Sequence, residues 1–411
     1  MTSIGASDWD VVVAGAGPGG AAVAHGVART GASVLLLDRE RFPRWKVCGA
    51  CLSPGALAAL EEMGVRDRIA TQGPVPLTRL SLAAGPRRAT IALRGSAALS
   101  RGRLDEALVR AAEAEGASFR DGARARLEGT RDGRMLVRVR EGATAETVTA
   151  RVVVDATGLA GALDRRAPTA SGGLGRWART TSRSGVDAAS ASASARRRGP
   201  AQARSRIGIG ATVEDVDYPL PPGELRMVIG ANGYVGLVRL EDGRLNVGAA
   251  VDSTALRSTE PAEVVTRILR QAREPVPSGP ATDGWRGTPP LTRTRPTTDG
   301  GRVLRLGDAA SYVEPFTGEG ICWALDAGLA AVDVVGRALS DPAFDLSGAW
   351  RARLEAGQAR AQRLCRLLAR GLRRPSLARS VVGLLGVAPG LASPFVREAA
   401  RRPWRLGAGT A

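Results

Sequence analysis

A short hydrophobic strand over Asp10–Ala14 runs directly into Gly15-Ala16-Gly17-Pro18-Gly19-Gly20, and the next strand, Ser33–Leu37, ends on Asp38. This order of parts constrains the fold more than any other stretch of the chain. Gly15 permits a tight turn, Gly17 lets backbone approach a pyrophosphate, and Gly20 lets the following helix sit close to the strand. The helix predicted from Pro18 to Thr30 points its free N–H groups at that pyrophosphate, and Pro18 in its first turn needs no N–H partner. Gly31 reads as its C-terminal cap. Asp38 is placed to accept hydrogen bonds from a ribose diol. Strand, glycine turn, helix, parallel strand and acid together predict a unit that cradles a dinucleotide.

At 411 residues the chain has room for two or three structural units. Four cysteines, Cys48, Cys51, Cys322 and Cys365, are too few for a disulfide scaffold of this size, so a reducing, cytoplasmic setting is expected. The first ten residues show no secretory signal, and Val381–Leu391 is too short, and too rich in glycine and proline, to span a membrane. The net charge of +18 comes from 58 basic residues mixed with 40 acidic ones, and aromatic content is only 4%. Little material remains for base stacking, so no nucleic-acid partner is expected. The charge suits anions such as phosphorylated small molecules or a membrane surface. His25, the only histidine, falls inside the first predicted helix. Zinc sites built from several histidines and Ser-His-Asp hydrolysis are therefore poor hypotheses, and no metal site is expected.

Further helices are predicted over Leu57–Met63 and Ser100–Glu115, the latter with Leu104 and Leu108 at helical spacing. Strands follow at Ala117–Arg120, Ala123–Leu127, Arg134–Arg140 and Thr147–Val154. The last delivers Asp155-Ala156-Thr157-Gly158, a small-residue turn of the kind that meets a ligand at a sheet edge. From Arg165 to Arg206, Ser, Ala, Gly and Arg replace periodic hydrophobics, which reads as a flexible low-complexity insertion. Arg226–Gly230, Tyr234–Leu240 and Arg244–Ala250 then resemble strands joined by tight turns, and Pro261–Arg273 looks helical. These pieces suggest an antiparallel sheet forming one wall of a substrate cavity. A second nucleotide-contact cluster comes late: the strand Val303–Leu306, the turn Gly307-Asp308, the loop Pro315–Gly320 and the helix Ile321–Leu339. Gly318 and Gly320 let backbone approach a flat ring, and the helix start offers N–H donors. In the tail, Leu364, Leu367, Leu368 and Leu372 form an apolar stripe beside arginines, which suits either a packed helix or a peripheral membrane contact.

With both clusters in view, the chain resembles FAD-dependent oxidoreductases of the para-hydroxybenzoate hydroxylase type, and within them the geranylgeranyl reductase family, over roughly Asp10 to Leu339. The resemblance implies an α/β fold. A Rossmann-like FAD-binding domain (8–70, 98–164 and 296–340) is interrupted by an antiparallel-sheet substrate domain (71–97 and 207–295). The flexible insertion (165–206) and a basic helical C-terminal region (341–411) complete it. Gly15, Gly17 and Gly20 match the FAD pyrophosphate motif, Asp38 the adenosine-ribose acid, and Arg101 the arginine that opens a Leu-Asp helix motif. Asp155 and Gly158 match a further FAD turn, Gly307 and Asp308 the second FAD motif, and Pro315, Gly318 and Gly320 the loop beside the isoalloxazine. Pro43-Arg44-Trp45-Lys46-Val47-Cys48-Gly49-Ala50 resembles the reductases' Pro-x-x-Lys-x-Cys-Gly-Gly segment. Where those enzymes often carry Tyr-x-Trp-x-Phe-Pro, this chain keeps Tyr234 but has Gly236 and Val238, so a particular substrate is not inherited.

The resemblance implies reduction of a carbon–carbon double bond in a hydrophobic or prenylated substrate, with electrons from NADPH or NADH. Cys48 and Tyr234 are the candidate cavity residues. Arg44 and Lys46 are candidates for an anionic head group, or else solvated loop charges. The Cys48-Gly49-Ala50-Cys51 spacing also fits a redox dithiol. An FAD monooxygenase is the competing enzyme reading, and a catalytically lapsed FAD-binding peripheral-membrane protein the non-enzymatic one.

Overall fold

The computed structural model describes residues 8–161, 163, 205–294, 296, 298, 301–314, 316, 318–399 and 402. The insertion expected over 165–206 falls, apart from Ser205 and Arg206, outside these residues, as does Pro315.

The first sheet is built on β1 (Asp8–Ala14), flanked in parallel by β2 (Val34–Leu37) and β9 (Thr144–Asp155), with β6 (Ser118–Arg120) beyond β2. Val11, Val12 and Val13 are all fully buried. Both faces of a central parallel strand are covered, which is why β1 reads as an unbroken apolar run. Along one edge of β9 the partner changes. Residues 144–150 pair antiparallel with β8 (Arg134–Glu141), itself paired with β7 (Ala123–Arg131), while Val153–Asp155 pair in parallel with β16 (Val303–Arg305). A strand from the end of the chain thereby lies beside the early glycine turn.

Helices α1 (Pro18–Ala28) and α6 (Gly320–Ser340) pack on this sheet at very short range. A Cβ at Gly328 would lie 2.6 Å from the Gly19 carbonyl oxygen, and one at Gly26 would lie 2.4 Å from a Val332 methyl. Glycine at these crossings brings the two nucleotide motifs together. Helix α2 (Pro54–Glu62) starts three residues before the expected Leu57, because the Ser53 hydroxyl accepts from the Ala56 N–H as its N-cap. Helices α3 (Arg66–Ala70) and α4 (Arg101–Ala114) complete this half, and the pair β15 (Arg293–Thr294) and β17 (Ser311–Tyr312) lies near the second motif.

The second sheet runs β14 (Arg286–Pro290), β10 (Arg206–Val213), β13 (Leu245–Asp252), β12 (Gly233–Arg239), β11 (Glu224–Gly230), β4 (Val75–Ala84), β5 (Arg87–Ala98) and β3 (Cys51–Leu52). Neighbours are antiparallel except β4 and β11, which pair in parallel from Arg79↔Glu224 to Ala84↔Ile229. The sheet expected to be antiparallel is thus mixed at one seam. Strands joined by a long excursion through the first sheet are free of the hairpin constraint that enforces antiparallel pairing. Helix α5 (Pro261–Gln271) covers one face with Val264, Val265, Ile268 and Leu269. Three C-terminal helices follow: α7 (Leu346–Gly371), α8 (Pro375–Val387) and α9 (Ser393–Ala399). Among the described residues no single helix is long and apolar enough to cross a membrane.

Candidate functional site

The first glycine turn is shaped by steric need at two of its three marker positions. Gly15 has φ +105°, and a Cβ there would lie 2.3 Å from the Ala156 carbonyl oxygen. At Gly20 a Cβ would lie 1.8 Å from the Gly15 carbonyl oxygen, so α1 sits directly on the turn. Gly17 differs: a Cβ there would meet only the guanidinium tips of Arg101 and Arg44, at 3.6 and 3.7 Å. The protein does not need glycine at that point. The space between the turn and two guanidinium groups is one that suits an anion.

Asp38 is buried, and its carboxylate accepts from the backbone N–H of Ala16 at 2.9 Å and of Glu40 at 3.0 Å, and from Arg44 Nη2 at 3.2 Å. It therefore fixes the turn as well as ending β2. Asp105 is fully buried on α4 and takes a bidentate pair from Arg101, at 2.9 and 2.7 Å, with Arg44 Nη1 3.0 Å away. The guanidinium beside it holds its carboxyl below the ordinary range against the effect of burial. Arg44 thereby pairs with both Asp38 and Asp105 and is largely buried, so it is not a solvated loop charge. Its buried Nε has no hydrogen-bond partner among the described residues.

Lys46 lies close by, with Nζ 3.3 Å from the position of a Cβ on Gly158, whose φ is +69°. Burial and the neighbouring Arg101 and Arg44 hold its ammonium down to about 8, with Asp308 and Asp105 opposing. Asp308 is partly buried, and its carboxyl is raised by burial against the pull of Lys46 and Arg101. Gly307 and Gly318 both adopt positive φ, +57° and +77°, which their turns require; Gly320 does not. Asp155 is buried too, but its oxygens serve the Thr157 N–H and hydroxyl and Arg305 Nε at 3.1 Å. It positions the turn that carries Gly158.

The segment carrying Cys48 lies across the second sheet. Trp45 Nε1 donates to Thr212 Oγ1 at 2.8 Å, Asn246 Nδ2 donates to the Cys48 carbonyl at 3.0 Å, and a Cβ on Gly248 would lie 3.1 Å from that same oxygen. Ala50, where a second glycine is common in the reductases, has φ +56°. Cys48 and Cys51 are free thiols. Burial, with Cys48 and Glu319 adding to it, pushes the Cys51 thiol up to about 12, which disfavours the thiolate that dithiol exchange needs.

Tyr234 is buried on β12, edge-on to Phe316 of the loop before α6 with ring centroids 5.0 Å apart. Sequence reasoning missed the polar groups around it. Arg206 stacks over the Tyr234 ring at 5.5 Å and donates to Glu314 at 2.9 Å. Burial and Glu314 raise the Tyr234 phenol well above its ordinary range, and burial with Asp308 and Tyr234 does the same to Tyr312. Asp308, Tyr234, Cys48 and Glu314 all lie within electrostatic range of Tyr312. The position that carries tryptophan in many reductases is Gly236, where a Cβ would lie 3.0 Å from Met227 Sδ; the neighbouring strand fills that space with a thioether.

A Rossmann-like sheet, a glycine turn facing two guanidinium groups and a second glycine turn beside an acid define an FAD-dependent oxidoreductase. The comparisons agree. Residues 8–198 match the family model described as FAD binding domain. The chain is 30% identical over 344 residues to menaquinone reductase of Mycobacterium tuberculosis, covering 79% of this chain and 76% of the relative. It is 27% identical over 348 residues to digeranylgeranylglycerophospholipid reductase 2 of Methanopyrus kandleri, covering 81% and 78%. Among solved structures, a geranylgeranyl bacteriochlorophyll reductase-like protein from Thermoplasma acidophilum superposes with a TM-score of 0.72 at 18% identity, covering 98% of both chains. The flavin-dependent brominase Bmp2 gives the same TM-score at 15% identity, covering 97% of this chain and 94% of its own, so the fold alone does not choose the chemistry. The chain belongs to the geranylgeranyl reductase family, within the para-hydroxybenzoate hydroxylase-like flavoprotein superfamily.

Proposed function

We propose that this protein is an NAD(P)H-dependent flavoprotein reductase that saturates a carbon–carbon double bond in a hydrophobic, prenyl-bearing substrate. The observation that carries this reading is the placement of Tyr234. It stands at the meeting of an apolar cluster, which includes Ile229, Leu291 and Phe316, with the buried polar pair Arg206 and Glu314, beside the loop expected to face the flavin. Relatives named for menaquinone and for a prenyl lipid support a hydrophobic partner of this kind.

The residues present fit FAD. Gly15, Gly17 and Gly20 with Arg44 and Arg101 would hold its pyrophosphate, Asp38 its adenosine ribose, and Gly158, Gly307, Asp308, Gly318 and Gly320 with Lys46 its flavin end; Pro315 belongs to the same loop. FAD bound there supplies hydride once reduced by NADH or NADPH. The chain supplies the rest. Phe316 and the apolar cluster orient the alkene and exclude water, and Tyr234, kept protonated by burial, donates the proton that completes saturation. Cys48 packs instead against the apolar cluster that holds Leu52 and Leu104, with its thiol beside Arg101. On this reading the protein works in the cytoplasm with a peripheral membrane contact.

The test is anaerobic turnover of the photoreduced protein with a prenylated alkene. A product two mass units heavier supports the reading, and substrate-dependent incorporation of labelled oxygen in air would replace it with a monooxygenase. Tyr234→Phe is expected to retain FAD while lowering kcat by roughly 100-fold, with KM little changed.

A further inference from the structure

Among the described residues seven large apolar side chains are exposed, and six of them, Leu367, Leu377, Val381, Leu384, Val387 and Leu391, fall within one short C-terminal stretch. Helix α8 explains how they arise. Its inward stripe, Ala378, Val382 and Leu385, joins the apolar cluster that contains Leu82, Ala84, Ala89 and Ile91 of the β4–β5 hairpin, and a Cβ on Gly386 would lie 2.4 Å from the Arg88 carbonyl oxygen. Leu377, Val381 and Leu384 repeat at i, i+4 and i+7 on the adjoining face, and Val387 continues them at 87% exposure. A surface helix facing water carries polar residues there. This one has a single charged residue, Arg379.

The surroundings are strongly basic. From Arg363 to Glu398 the sequence holds seven arginines and one acid, and Arg370, Arg374, Arg379 and Arg397 are exposed. Two copies packed through this face would bring like charges together, whereas an anionic lipid surface neutralises them. Helix α8 has 13 residues, about 20 Å at the α-helical rise, short of the roughly 30 Å hydrocarbon core. The chain then bends by 118° into the next helical segment, a geometry that suits lying along a surface better than crossing it. The inner face of the same elements, Ala378, Val382, Ala392 and Val396, belongs to the apolar cluster that includes Tyr234 and Phe316.

We propose that α8 and the turn that follows it dock this protein on an anionic bilayer, with Leu377, Val381, Leu384, Val387 and Leu391 at the headgroup–acyl boundary and the arginines on lipid phosphates. A membrane-dissolved substrate then passes to the Tyr234 and Phe316 cluster along continuous apolar surface. Of the Leu364 to Leu372 stripe, which the sequence left open between a packed helix and a membrane contact, Leu367 is exposed and Leu368 and Leu372 are partly buried.

This rests on the reading of the substrate as hydrophobic, and the experiment separates the two. The FAD-loaded full chain is floated with vesicles of phosphatidylglycerol and phosphatidylcholine, and with phosphatidylcholine alone. Binding at least about tenfold tighter to the anionic vesicles, weakened by salt, is expected. Leu384→Glu with Val387→Glu is expected to weaken it by about tenfold or more while melting temperature and turnover of detergent-dispersed substrate hold. Equal binding by wild type and variant, no preference for anionic vesicles, or a variant that merely converts a dimer to monomer would overturn the proposal. Flotation needs no turnover, so tight docking without alkene reduction would count against the reaction and leave the docking surface standing.

Discussion

Arg206 and Glu314, 108 residues apart in the chain, form an ion pair at 2.9 Å in which each side chain is only 1% exposed. The pair ties the first residue of β10 to the segment leading into the loop before α6, and Asp252 and Arg373 extend it, at 3.4 and 4.0 Å. Removing one partner strands the other charge in a low-dielectric setting, so Glu314→Ala is expected to cost about 3–5 kcal/mol. Replacing both, as Arg206→Met with Glu314→Leu, should cost less than either single change. Urea denaturation across the four-member cycle measures the coupling; additive losses would show that the two residues act separately.

The two glycines at the first turn separate folding from binding. Gly15→Ala places a methyl against the Ala156 carbonyl oxygen in a strained backbone region, so the melting temperature should fall and flavin be lost together. Gly17→Ala meets nothing closer than 3.6 Å among the described residues, so the apo-protein should melt within about 2 °C of wild type while FAD binds at least roughly tenfold more weakly. Flavin content by absorbance, read beside the melting curve of the apo-protein, distinguishes the two cases.

These glycines were legible because a strand, a turn and a helix impose their needs locally, and strand β9 and helix α6 were legible by the same periodicity. The hairpin β4–β5 was not read as strands, since Pro76, Arg79 and a run of arginines interrupt its alternation, and its pairing with β11 is decided across some 140 residues. Arg206 looked like one more arginine at the end of a polar stretch, and nothing local marks it as buried. Asp105 had a usable signal: it stands four residues after Arg101 on a helix, the spacing at which an ion pair forms. Arg44 was noticed only as a charge, because its partners Asp38 and Asp105 meet only after two elements pack.

Lys46 should make cofactor binding pH-dependent. Its ammonium loses its proton near pH 8 in the folded protein against 10.5 ordinarily, because burial and two arginines disfavour the charge. The diphosphate of FAD, held by the neighbouring Arg44 and Arg101, would favour the charged form from the flavin side, so FAD affinity should be level below about pH 8 and weaken above it. Between about 8 and 10.5 the unfolded chain holds this proton and the fold does not, so apo-protein stability should gain from this group as pH rises. Lys46→Met removes both dependences. FAD titration by fluorescence quenching from pH 7 to about 10 checks the first, and a slope unchanged in the variant would remove Lys46 from the site.

Glu319 carries the opposite dependence. Burial pushes its carboxyl up to about 8, with Asp326 adding to the rise and the Ser53 hydroxyl, donating at 2.8 Å, opposing it. Between its ordinary value of 4.5 and about 8, the folded state holds a proton that the unfolded chain has released. Stability therefore falls as pH rises through that window, by at most about 1.4 kcal/mol per pH unit, and is level on either side. Glu319→Gln keeps a polar partner for Ser53, which in turn caps α2, and carries no titrating group. Urea midpoints measured across the window should decline less steeply in Glu319→Gln than in wild type, with the two converging at low pH. Parallel declines would mean that the Glu319 carboxyl is ionised in the fold.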